Sequence, residues 1–185
     1  MKGKPIFVII AIVVVFAIML ATSYNGLVSL NENVDGAWAQ VENQLKRRAD
    51  LIPSLLETVK GYASHEKEVI EKISEARTRY SGASTPEEYE EAEAGLSSAM
   101  KSLNIIVENY PDLKASENFR DFQAELSGTE NRIATERMRY NEVVREYNKK
   151  IKRFPTKIIA GIFNFDQKQY FEINEADAEV PEVKF

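Results

Sequence analysis

The sequence has no cysteine and a single histidine, His65, among its 185 residues. Disulfides and thiolate metal sites are excluded, and the common zinc and iron sites lose their usual ligands. A di-iron centre in a helix bundle needs Glu-x-x-His pairs, and Tyr62 stands three residues before the one histidine. No glycine-rich phosphate loop, nucleophile elbow or Ser/His pairing occurs. Strand-type alternation is absent and glycine is scarce, at 8 residues. Asp and Glu (29) outnumber Lys and Arg (24), giving a net charge of −5. That balance argues against general nucleic-acid binding, which depends on clustered cations. The expected protein is not an enzyme, carries no cofactor, and takes neither nucleic acid nor a small-molecule substrate.

Charge is also missing from the first segment. "IFVIIAIVVVFAIMLATSY", Ile6 to Tyr24, contains no charged residue. At 1.5 Å per residue it extends ~28 Å, close to the ~30 Å hydrocarbon core of a bilayer. A cleavable signal peptide is the rival reading, since Lys2 and Lys4 form a short basic flank and Ala21 to Ser23 a weak cleavage site. The apolar run exceeds the ~7–15 residues of a signal core, so a retained single-pass anchor in a bacterial cell membrane is expected. Lys2 and Lys4 precede the span, and the next Lys or Arg is Lys46. The positive-inside rule then keeps the N-terminus cytoplasmic and the domain extracytoplasmic, with a cytoplasmic domain as the alternative.

Beyond the span, apolar residues recur three and four apart. Tyr24, Leu27, Val34, Trp38, Val41 and Leu45 form one stripe, so Ile6 to Ala49 reads as one unbroken rod. Asp50 as a cap and Pro53 in a first helical turn predict a corner at "ADLIP". A single kinked helix is the alternative, because Ile52, Leu55, Val59, Tyr62, Val69, Ile73 and Tyr80 nearly continue the spacing. The next helix ends near "SGAS", Ser81 to Ser84. "TPEE", Thr85 to Glu88, is a capping-box signature with Pro86 first in the helix. Tyr89, Ala92, Leu96, Met100, Leu103 and Val107 stripe the third helix, which stops by Pro111. Ser116 caps a fourth, striped by Phe119, Phe122, Leu126, Ile133, Tyr140, Val144, Tyr147 and Ile151. The expected fold class is all-α: a transmembrane anchor over 1–25, an antiparallel up-and-down four-helix bundle over 26–153, and a tail over 154–185.

Chain reversals in such a bundle place "RRADLIP" and "NYPDLKAS" far from the bilayer, and "SGAS" and the end of the fourth helix near it. The tail therefore emerges beside the anchor. Phe154, Ile158, Ile159, Ile162, Phe163, Phe165, Tyr170 and Phe171 make it apolar and aromatic, suited to the lipid headgroup region, to a neighbouring subunit, or to its own bundle. "NEADAEVPEV", Asn174 to Val183, is acidic and expected to be loose. At the corner, Arg47, Arg48, Asp50 and Pro53 form a candidate partner-docking site, although helix capping accounts better for Asp50, and helix-end effects account equally well for the two arginines. His65 reads as a surface histidine of the second helix, with neither a metal nor a catalytic role. Glu130 and Arg137, in or near the fourth stripe, read as buried polar contacts that fix helix register or as charges at a subunit interface.

Four blocks resemble the LemA family: "VENQLKRRADLIPSLLETVKGYASHE" at Val41 to Glu66, "ENYPDLKASENF" at Glu108 to Phe119, "GTENRIATERMRYNEVVREYNKKI" at Gly128 to Ile151, and "RFPTKIIAGIFNF...YF" ending at Phe171. The resemblance implies an N-terminal anchor followed by an antiparallel four-helix domain, with no established enzymatic activity. It also implies relatives tied to membrane remodelling in magnetosome-forming bacteria, and others encoded beside membrane proteases. Some members carry basic residues just after the span, whereas here the lysines lie in front of it. The expected function is a noncatalytic scaffold partnered by the lipid bilayer, forming a homo-oligomer that organises or remodels membrane. The alternative is an adaptor that docks on another membrane protein, such as a protease or sensor.

Overall fold

The computed structural model describes residues 4–172 and is all-α, with no strand among the described residues. The acidic stretch Asn174 to Val183 lies outside them, as does Lys2. Six helices follow in order: α1 (Lys4–Tyr62), α2 (Lys67–Gly82), α3 (Pro86–Asn109), α4 (Pro111–Ala115), α5 (Glu117–Lys152) and α6 (Thr156–Ile162).

The 59 residues of α1 begin with the apolar run, which is long and apolar enough to cross a membrane. None of that stretch is buried; Phe7 is 74% exposed and Val15 66%. In hydrocarbon every amide must be bonded within its own segment, so a spanning run has to be helical. The helix then continues without interruption, because Leu27, Val34, Val41 and Leu45 keep one buried stripe in register with it.

The corner expected at "ADLIP" is absent. Pro53 lies inside α1, which ends at Tyr62, so Asp50 is an exposed mid-helix residue and not a cap. An interior proline forfeits the bond to the carbonyl four residues back and costs about 3 kcal/mol. Here that is offset by Ala49, Ile52, Leu55, Val59 and Ala63, all buried to 5% exposure or less; burial of each larger side chain contributes roughly 1.5–3 kcal/mol. The turn falls instead at "ASHE". Glu66 N–H bonds the Ala63 carbonyl at 3.1 Å, and the Glu66 carboxylate accepts from the Tyr110 hydroxyl at 3.0 Å. His65 is exposed in this turn, not on a helix.

Two other start signals are realised as read. Thr85 Oγ1 accepts from Glu88 N–H at 3.3 Å while the Glu88 carboxylate receives Thr85 N–H at 3.2 Å, closing the capping box of α3. Ser116 Oγ accepts from Phe119 N–H at the start of α5. "NYPDLKAS" is not simply a loop, since Pro111 opens the single-turn helix α4 within it. α2 has only 16 residues, and the start of α3 lies beside Glu42 and Lys46 of α1, whose charges act on the Tyr89 hydroxyl.

The chain divides into two compact units. One gathers residues up to Ala39 with Arg139–Gln169; the other gathers Gln40–Met138 with the residues from Tyr170. In the second unit, Tyr80 of α2 meets Tyr89 of α3 edge-on at 5.5 Å, and Ile73, Leu96, Leu103, Leu113 and Phe119 are buried to 1% exposure or less.

Replacing Pro53 with alanine restores the missing bond of α1. The expected gain is about 2 kcal/mol, the helix penalty less the chain entropy that proline saves. It should appear as a higher Tm by circular dichroism of the detergent-solubilised protein; an unchanged or lower Tm would show that the surrounding structure has adapted to proline.

Candidate functional site

In the first unit, the tail returns to the level at which the apolar run ends. α6 packs Thr156, Ile159 and Ala160 inward. Its end is shaped by Asn164, whose φ of 57° lies in the left-handed region that asparagine tolerates better than most side chains. That residue lets Phe165 N–H reach back to the Ala160 carbonyl at 2.9 Å, a Schellman-type closure. The reversal brings Phe163 and Phe165 onto Tyr24, with ring centroids 4.8 and 5.8 Å away.

The extended segment that follows is tied to α1 and α5. Asn148 of α5, itself buried, donates to the Lys168 carbonyl at 2.8 Å and accepts from Lys168 N–H at 2.9 Å. Tyr140 Oη donates to the Gln169 carbonyl at 2.9 Å, and Lys168 Nζ pairs with Asp35 at 3.2 Å. Trp38 lies against Tyr140, with ring centroids 5.3 Å apart. Burial, aided by Asp166 and Asp35, raises the pKa of the Tyr147 hydroxyl. On the outer side Phe154 (82% exposed), Ile158 (55%), Ile162 (64%) and Phe163 (53%) remain open.

In the second unit, Arg48 is buried among three helices. Its Nη1 donates to Glu93 Oε1 of α3 at 2.6 Å, and its Nη2 to Glu130 Oε1 of α5 at 3.2 Å. Burial works against the guanidinium charge, but Glu93, Tyr80 and Glu130 outweigh it and hold its pKa above the ordinary value. Tyr80 is close enough to feel the Glu93 charge, yet its hydroxyl and Glu93 Oε2 both lack a hydrogen bond of their own. Burial pushes the Tyr80 phenol far up, and Glu93 adds to the rise while Arg48 opposes it. Such a cluster ties three helices together and performs no chemistry that its residues disclose.

The four residues expected to form a docking corner are therefore not one site. Arg48 is internal, whereas Arg47 is exposed and 3.5 Å from Glu125. Asp50 faces solvent one helical stretch before Pro53. The tail residues divide as well: Ile159 and Phe171 are buried, Phe165 is half-buried, and Phe154, Ile158, Ile162, Phe163 and Tyr170 are exposed. In the second unit, Glu172 N–H donates to Glu90 beside the buried Phe171. Glu130 does make a contact that fixes register, through Arg48, although its own side chain is half exposed. Glu93 and Asn148 escaped the sequence reading. Their signal was positional: Glu93 stands four residues after Tyr89 and three before Leu96, and Asn148 four after Val144 and three before Ile151. A polar residue on an apolar stripe marks a buried polar bond.

Two outcomes follow for the buried cluster. Arg48→Met leaves the Glu93 carboxylate buried and unpaired, and should cost about 3–5 kcal/mol of stability in chemical denaturation. Arg48→Met with Glu93→Met should recover most of that loss; equal destabilisation by the single and double variants would show that the pair is not the source. The folded state keeps the Tyr80 proton where the unfolded chain, with a value near 10.0, has released it. Stability is therefore full below pH 10 and falls as pH rises above it. Tm measured across that range should drop less steeply for Tyr80→Phe.

Known proteins place the chain. The LemA family model matches residues 37–185. Protein LemA of Metamycoplasma hominis is 27% identical over 164 residues, covering 86% of this chain and 75% of the relative. Magnetosome protein MamQ 2 of Paramagnetospirillum magneticum is 25% identical over 186 residues, covering 86% and 68%. Magnetosome protein MamQ of Magnetospirillum gryphiswaldense is 23% identical over 201 residues, covering 92% and 74%. With most of its length matched, from Ala37 in α1 onward, the chain belongs to the LemA family.

Proposed function

We propose that this chain is a noncatalytic, membrane-anchored helical scaffold that self-associates and organises or remodels the bilayer that holds it. The observation that carries this reading is the unburied apolar run of α1, continuous with the helix on which the rest of the chain is built. A single anchor exerts little force on a bilayer. A closed ring of subunits, however, concentrates many spans and many tails on one patch. Such a ring uses heterologous contacts that close by rotation. The likeness to proteins named for the magnetosome supports a membrane-organising role. In this reading Lys2 and Lys4 hold the N-terminus in the cytoplasm and the helices beyond Tyr24 act outside it.

A second reading, an adaptor for another membrane protein, is favoured by one feature of the second unit. A groove of about 570 Å³ is bounded by Leu51, Thr58 and Tyr62 of α1 and by Asp121, Phe122 and Glu125 of α5. Its mix of apolar and acidic side chains suits a basic amphipathic segment of a partner.

Mass measurement of the full-length protein in nanodiscs separates the two readings. A defined multimer is expected, with self-crosslinks when a photoreactive residue replaces Tyr62. A monomer that captures one foreign membrane protein at Tyr62 would overturn the scaffold in favour of the adaptor.

A further inference from the structure

The end of α5 and the start of the tail form the densest run of positive charge in an otherwise acidic chain. Lys149, Lys150, Lys152, Arg153 and Lys157 fall within nine residues, and no Asp or Glu occurs between Glu146 and Asp166. All five are exposed. The neighbouring cations Arg145 and Lys168 are paired, to Glu142 and Asp35. None of the five has an ion-pair partner among the described residues. Clustered like charges repel and are held together at a cost, so an unpaired run of this kind fits an anionic surface brought from outside.

Three further observations identify that surface. Within the first unit, Phe163 and Phe165 contact Tyr24, where the strongly apolar stretch of α1 gives way to Asn25, so the segment is at the level at which the span leaves hydrocarbon. The same stretch exposes Phe154, Ile158, Ile162 and Phe163, interleaved with the cations. Ile158 and Ile162 are one helical turn apart, on a side of α6 distinct from the buried Thr156, Ile159 and Ala160. Exposed apolar groups between lysines are poorly matched to an acidic protein surface, and well matched to a headgroup layer that offers phosphate above and acyl chain below.

We propose that this face is an anionic-lipid binding surface, on which Lys149, Lys150, Lys152, Arg153 and Lys157 engage headgroup phosphates while Phe154, Ile158 and Ile162 enter the leaflet beside the span. The proposal rests on α1 being a membrane anchor. The anchor supplies attachment and this face supplies lipid selection: each cation at an anionic surface strengthens binding roughly fivefold, an effect that salt screens. A membrane-organising protein with such a face would gather anionic lipid around each subunit.

The full-length protein in nanodiscs of phosphatidylcholine alone, or mixed with phosphatidylglycerol, provides the test. Amine acetylation read by mass spectrometry should show Lys149, Lys150, Lys152 and Lys157 protected several-fold in the mixed discs only. Lys60, Lys67 and Lys72 should be labelled equally in both, and the protection should fade as salt is raised. Detergent extraction should recover phosphatidylglycerol enriched over phosphatidylcholine. The variant with glutamine at all five positions should lose that enrichment at unchanged helical content. Equal labelling in the two discs, or equal protection in both, overturns phosphate recognition while leaving the anchor intact. Failure of the protein to enter either disc overturns the anchor itself, and with it the reading on which this surface depends.

Discussion

The start of this chain is apolar enough to cross a bilayer, and the absence of water there imposes a constraint that its fold meets. Amides crossing hydrocarbon must bond within their own segment, and α1 obeys from its first described residues. Once wound, the helix has no reason to stop at Tyr24, because the next apolar stripe is already in phase with it. α1 therefore supplies the ring on which the tail closes, the aspartate that pairs with Lys168, and the buried arginine, all beyond a run that fits a membrane anchor. Each of these is a side chain presented by one uninterrupted backbone, at a position fixed by counting along it.

Buried polar groups then specify how other segments meet α1. Arg48 can satisfy its charge only if Glu93 and Glu130 arrive together, which excludes alternative registers of α3 and α5 more sharply than apolar packing does. Asn148 does the same for the tail, since its donor and acceptor match the carbonyl and amide of Lys168 and of no side chain nearby. The bonds differ in character. Asn148 uses both ends of a neutral amide, while the Arg48 cluster leaves Tyr80 and one Glu93 oxygen unbonded and so retains part of its desolvation penalty.

Much of this architecture could be read from the residues themselves, for reasons that differ by element. The span announces itself through nineteen uncharged positions, and the start of α3 through Thr85, Pro86 and Glu88, because those signals are local and complete within one turn. The misread corner shows the opposite case. Asp50 and Pro53 carry a genuine local preference for a helix start, but Leu55, Val59 and Ala63, buried after Pro53, outweigh it, and that burial depends on partners distant in sequence. "ASHE" contains neither glycine nor proline, and its turn is held in part by Tyr110, 44 residues away, so nothing in the four letters marks it. The split of Arg47 from Arg48 is a matter of helix phase: the letters are identical, but Arg48 stands three residues after Leu45 and four before Ile52, on the buried stripe. In the tail, hydrophobicity was plain in the letters. Which residues turn inward was not, because it depends on the left-handed Asn164.

The return of the tail to Tyr24 has a consequence for topogenesis. On the anchor reading, Lys2 and Lys4 are the cations nearest the span in sequence, and the positive-inside rule acts on that flank. Lys149, Lys150, Lys152, Arg153 and Lys157 are translated long afterwards, and on the lipid-binding proposal they reach the bilayer by tertiary folding. On that proposal the folded protein surrounds its span with charges that are remote from it in sequence, and linear position along the chain is a poor guide to which charges a lipid meets.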